Sequence, residues 1–108
     1  MPCSLWRPCA LLLSVLAATA LAGPAAEPAI SPATVAVLAA TCMSCHGPGG
    51  HSATDIPGIA GQSESRLHAR LLAFRNGTAP DATIMTRLMK GYDEAQIAAL
   101  AHWFAQEP

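Results

Sequence analysis

Apolar side chains recur at intervals of three and four in three separate stretches, which is the spacing of one buried helical face. In the first, Val35, Leu38, Ala39 and Cys42 share a face. Ser31-Pro32 precedes them as a start signal, because a serine oxygen accepts an orphan backbone N–H and proline is tolerated at the first helical position. In the second, Leu67, Leu71 and Phe74 lie on one face and Arg66, Arg70 and Arg75 on the other. Ser63 stands ready as the cap, and Asn76-Gly77 ends the stretch. In the third, Ile97, Leu100, Ala101 and Phe104 follow Asp93, with Gln96 at the third position for a reciprocal capping box. No alternating, strand-like stretch occurs. The pattern predicts an all-α fold.

The segments between the helices are equally marked. Gly47-Pro48-Gly49-Gly50 stops any helix and lets the backbone pass close to a bulky group. Asp55 to Gln62 reads as an apolar loop with two isoleucines and a proline, and Thr78 to Thr83 as a turn-rich link containing Pro80. At the N-terminus, Arg7, an uncharged apolar run from Cys9 to Leu21 and Ala20-Leu21-Ala22 before Gly23 have the form of a cleaved secretory signal. The run is shorter than the roughly 20 residues of a spanning helix. The expected organisation is therefore a signal peptide over 1–22, a loose mature N-terminus over 23–30 and one domain over 31–108, in the bacterial periplasm or an equivalent oxidising space, with no membrane span in the mature chain.

Cleavage would remove Cys3 and Cys9, leaving two of the four cysteines and no disulfide to propose. It would also remove Arg7, so that five basic side chains face seven acidic ones and the formal charge is −2. A nucleic-acid partner, which wants a basic stripe, is excluded on that balance. A domain this small is marginal without a staple.

The staple is written at Cys42-Met43-Ser44-Cys45-His46. Cys-x-x-Cys-His is the attachment signature of a c-type haem: two thiols add to the vinyl groups of one porphyrin, and the adjacent histidine becomes the proximal iron ligand. A thioredoxin-like pair would need a βαβ context, whereas an Ala-rich helix precedes this motif and a Gly-rich loop follows it. Structural zinc would need a second ligand pair, and His51, His68 and His102 are scattered singly. His51 is too close along the chain to reach the far haem face, His68 is expected on the solvent side of its helix, and His102 beside the last apolar stripe. For the distal position two methionines, Met85 and Met89, stand open; the alternative role for either is core filling. A thioether opposite histidine favours Fe(II) and leaves no open site for O₂ chemistry.

From Cys42 to Phe104 the chain resembles small class I cytochromes c of the c4 and c553 type. Within them it is most similar to the cytochrome subunit of flavocytochrome c sulfide dehydrogenases. The matching pieces are Cys-Met-Ser-Cys-His-Gly at 42–47, Ile-Pro-Gly-Ile-Ala-Gly-Gln at 56–62, Phe-Arg-Asn-Gly at 74–77 and Thr-Ile-Met-Thr-Arg-Leu-Met-Lys-Gly-Tyr at 83–92. The resemblance implies helices wrapped around one covalent haem c, with Cys42 and Cys45 as thioether sites, His46 as proximal and Met85 as distal ligand. Register against the Lys-Gly glycine, here Gly91, selects Met85 and leaves Met89 in reserve near the haem edge. Pro57 matches the proline whose carbonyl accepts from the proximal histidine, and Trp103 an aromatic that packs on the first helix beside Ala39. The function implied is single-electron transfer by a non-catalytic subunit that accepts electrons from a sulfide-oxidising flavoprotein or another redox protein. A freestanding shuttle of the c553 or c4 kind is the alternative, and a haem sensor or gas-binding protein with an open sixth position a third.

Overall fold

The computed structural model describes residues 23, 24 and 29–108. The expected signal peptide over 1–22, with Cys3 and Cys9, lies outside the described residues. Of the expected loose stretch 23–30, residues 23, 24, 29 and 30 are described and have no regular secondary structure. Four α-helices follow among the described residues: α1 (Pro32–His46), α2 (Glu64–Asn76), α3 (Met85–Leu88) and α4 (Glu94–Gln106). Two single 3₁₀ turns, Pro48–Gly50 and Met89–Gly91, complete the order, and no strand occurs among the described residues.

The three long helices begin where their capping side chains stand. Ser31 Oγ accepts from the Thr34 N–H at 3.1 Å and Ser63 Oγ from the Arg66 N–H at 3.3 Å. At α4 the box is complete, with Gln96 N–H on Asp93 Oδ1 at 2.8 Å and Asp93 N–H on Gln96 Oε1 at 3.0 Å. Such caps are each worth about 1 kcal/mol. At the other end of α2, the Gly77 N–H donates to the Ala73 and Phe74 carbonyls.

Helix α4 is the spine of the core. Its Leu100, Ala101 and Phe104 pack with Ala39 of α1 and Leu67 of α2, and Ile97 is fully buried on the same face. The stripe expected on α4 is thus buried at every position. Ala39 is completely covered; its small side chain is what lets α4 approach α1. Trp103 packs on the edge of this cluster.

Several local expectations need correction. The run Gly47–Gly50 ends α1 but then winds a 3₁₀ turn rather than an open loop. The stretch 84–91 holds an unforeseen short helix and a second 3₁₀ turn. Its start has no signature, since Ile84 at the cap offers no side-chain hydrogen bond, and packing against α2 forms it instead. Arg70 is exposed as expected, but its guanidinium also lies 4.5 Å over the Phe74 ring and bonds Asp81. His68 is half-buried, sharing a surface groove with Glu64, Ser65 and Ala98 of α4, rather than freely exposed. His102 is exposed and bonds Glu64 at 2.8 Å. Ala79, in the turn-rich link, is buried.

Candidate functional site

The last turn of α1 carries both cysteines and the histidine. Positions i, i+3 and i+4 adjoin on a helix surface, so Cys42, Cys45 and His46 are brought together by helix geometry alone. Cys42 is half-buried against the core cluster and Cys45 is exposed; neither is in a disulfide among the described residues. Burial pushes the Cys42 thiol above its ordinary value. That is opposite to what an activated redox pair needs, since its attacking thiol is a stabilised thiolate.

His46 Nδ1 lies 2.5 Å from the Pro57 carbonyl oxygen. A carbonyl only accepts, so Nδ1 carries the proton and Nε2 is left with its lone pair free for a metal. A bond of this kind fixes the ring orientation and makes the imidazole a stronger donor.

The intervening loop is shaped to present that carbonyl. Gly47 ends α1 at φ +85°, where a Cβ would fall 2.1 Å from the His51 carbonyl oxygen. Gly50, at φ +83°, is buried, and a Cβ there would meet Ile59, Phe104 and the Ala60 nitrogen at 2.9–3.1 Å. Its carbonyl accepts from the Ile59 and Ala60 N–H groups, the Gly61 N–H donates to the Phe104 carbonyl, and Gln62 Nε2 donates to the Gly58 carbonyl. The loop is therefore tied to itself across Pro57 and, through Gly61, to the end of α4.

The methionines come from the opposite stretch. Met85 opens α3 and is half-buried, whereas Met89, one turn on, is only 2% exposed. Met89 is therefore a core side chain. The 3₁₀ turn that follows α3 ends at Tyr92, whose hydroxyl lies 3.0 Å from Thr41 Oγ1 on α1. Sequence reasoning missed this contact; its two partners are 51 positions apart and neither carries a local signal.

The residues fit a haem better than a bare ion. Among the described residues no three His, Cys, Asp or Glu side chains gather as an ion site, and a metal held in a macrocycle asks the protein only for axial donors. The donor set is two cysteine sulfurs at haem-attachment spacing, an imidazole with its second nitrogen available and a thioether. Ile56 in the loop and Ile84 and Leu88 beside Met85 remain 40–57% exposed, apolar surface of the kind a porphyrin covers.

The family model for cytochrome c matches residues 33–106. The chain belongs to the cytochrome c family. It is 38% identical to the cytochrome subunit of sulfide dehydrogenase from Chlorobaculum tepidum, over 87% of this chain and 87% of that protein. It is 32% identical to cytochrome c4 of Azotobacter vinelandii, over 89% of this chain and 48% of the relative. It is also 34% identical to the thiosulfate dehydrogenase electron acceptor of Thiomonas intermedia, over 89% of this chain and 42% of the relative. The chain thus spans under half of the latter two. Membership brings covalently bound haem c, the all-α class I fold and the work of an electron carrier. No described helix is long and apolar enough to cross a membrane.

Proposed function

We propose that this cytochrome carries single electrons in the periplasm through one haem c, linked to Cys42 and Cys45 and ligated by His46 Nε2 and the Met85 sulfur. The observation that carries the reading is the bond from His46 Nδ1 to the Pro57 carbonyl, which leaves Nε2 as the donor atom. The burial of Met89 favours Met85 as the distal ligand, since Met89 is committed to the core. The haem supplies the Fe(III)/Fe(II) couple; the polypeptide sets its potential, its orientation and access to it. A histidine–methionine pair raises that potential and blocks O₂ binding, so the protein relays electrons without substrate catalysis.

The domain organisation proposed is a signal peptide over 1–22, removed on export, a loose mature N-terminus over 23–30 and a monohaem domain over 31–108. The donor proposed is a sulfide-oxidising flavoprotein with which this chain forms a complex, supported by the 38% identity to a sulfide dehydrogenase cytochrome subunit. A second reading, a diffusible carrier, draws on the likeness to cytochrome c4 and to a thiosulfate dehydrogenase electron acceptor. Purification of the native protein with an absorbance scan separates them. A flavin spectrum co-eluting with the haem supports the subunit, and haem eluting alone supports the carrier. Mass spectrometry of the same sample tests cleavage after Ala22.

A further inference from the structure

The haem-attachment helix and the methionine segment rest on different parts of the core. Helix α1 packs on α4, whereas α3 and the 3₁₀ turn after it pack on α2. Among the described residues one side-chain hydrogen bond joins residues 32–46 to residues 84–92, the contact between Thr41 and Tyr92. Thr41 immediately precedes Cys42, and Tyr92 immediately follows the turn Met89–Gly91.

The direction of the bond follows from the other partner. Thr41 Oγ1 lies 2.7 Å from the Leu38 carbonyl oxygen, which only accepts, so the single threonine proton is used there. The proton between the two hydroxyls must then be the tyrosine's. The result is an ordered relay: Tyr92 O–H donates to Thr41, and Thr41 O–H donates to the α1 backbone. Tyr92 also packs against the core cluster, so its ring is held while its hydroxyl bridges. Among the described residues the N-terminal end of α3 has no matching side-chain tie to α1, and Ile84 caps it without a side-chain bond.

We propose that Thr41 and Tyr92 are a positioning pair that holds the Met85 segment closed over the haem and so sets how readily the distal sulfur leaves the iron. This rests on the reading of Met85 as distal ligand. With the pair broken, the segment samples a sulfur-off state more often, and any external ligand that binds that state gains apparent affinity in proportion to its population.

The test uses the purified ferric holoprotein, with free imidazole as the competing ligand and the weak red absorption of thioether-bound ferric haem as the signal. Tyr92→Phe and Thr41→Val should each raise the apparent imidazole affinity by several-fold, up to about tenfold, the effect of losing one hydrogen bond. The double variant should do no more than either single one, because both remove the same interaction. Thr41→Ser, which keeps the hydroxyl, should bind imidazole as the wild type does. A lowered melting temperature with unchanged imidazole affinity in Tyr92→Phe and Thr41→Val would make the pair merely structural and overturn the proposal. If Met85→Ala leaves the red band in place, the ligand assignment itself falls and the proposal with it. If Met85→Ala removes the band while Tyr92→Phe leaves imidazole affinity unmoved, the proposal alone fails.

Discussion

The two sides of the proposed iron site are built by different means. On the His46 side, the backbone does the positioning: α1 ends at a glycine, the chain folds back through Gly50, and loop carbonyls and N–H groups are tied to each other and to α4. On the Met85 side, a one-turn helix without a capping side chain leans on α2 by packing, with Met89 sunk beneath it and one hydroxyl bond to α1. A hydrogen-bonded loop has one geometry and is costly to deform. A packed segment opens at lower cost, because only a few contacts must be broken. The difference teaches that, on the proposed ligation, His46 is the fixed reference of the site and Met85 the adjustable side.

The largest effect should come from removing what holds the adjustable side down. Met89→Ala deletes a core side chain and should cost about 2–5 kcal/mol, read by chemical denaturation. With Met85 as the proposed ligand, the thioether absorption should persist in the folded fraction. On the fixed side, Gly50→Ala combines a positive φ with contacts near 3 Å. It should cost about 2–4 kcal/mol by the same measurement. If Gly50→Ala proves neutral, the proximal loop is softer than the comparison holds.

A smaller effect on stability sharpens the picture. Pro57→Ala keeps the carbonyl that His46 uses, so it should shift the reduction potential little. A large shift would mean that the proline ring, rather than the backbone oxygen, tunes the ligand. The smallest effect concerns the link between α2 and α3. The Arg70 guanidinium bonded to Asp81 holds that carboxyl below its ordinary value. The folded state therefore binds this proton less tightly than the unfolded chain. The contribution is fully present above about pH 4, the unfolded carboxylate value, and is lost as pH falls through the lower folded value. Asp81→Asn should melt slightly below the wild type near neutrality, and the two should converge in acid. Because the pair is exposed, the gap should be small and should shrink further in salt.

What was legible beforehand divides along the same line. Helices α1, α2 and α4 announce themselves because Ser31, Ser63 and the Asp93–Gln96 box are local side-chain devices, each within a few residues of the backbone it satisfies. The buried stripe of α4 follows from spacing. Cys42, Cys45 and His46 are adjacent in sequence, so helix geometry brings them together without help from the rest of the fold. Helix α3 was not legible, since packing rather than propensity or capping forms it. The stacking of Arg70 on Phe74 was missed because a helical-wheel reading assigns an arginine to solvent, while its apolar stem and planar head can cover a neighbouring ring. Thr41 and Tyr92 meet only through the tertiary fold. Met85 and Met89 could not be told apart by spacing, and the resemblance to known cytochromes selected Met85. Burial sets Met89 in the core.

The central claim is that His46 and Met85 are the two axial donors to the iron of a covalent haem. The direct measurement is an absorbance comparison of purified wild-type and Met85→Ala holoproteins, ferric and then ferrous under carbon monoxide. The account predicts a wild type that shows the thioether band and does not take up the gas, and a variant that has lost the band and binds it readily. A Met85→Ala protein whose spectra match the wild type in both states would contradict it.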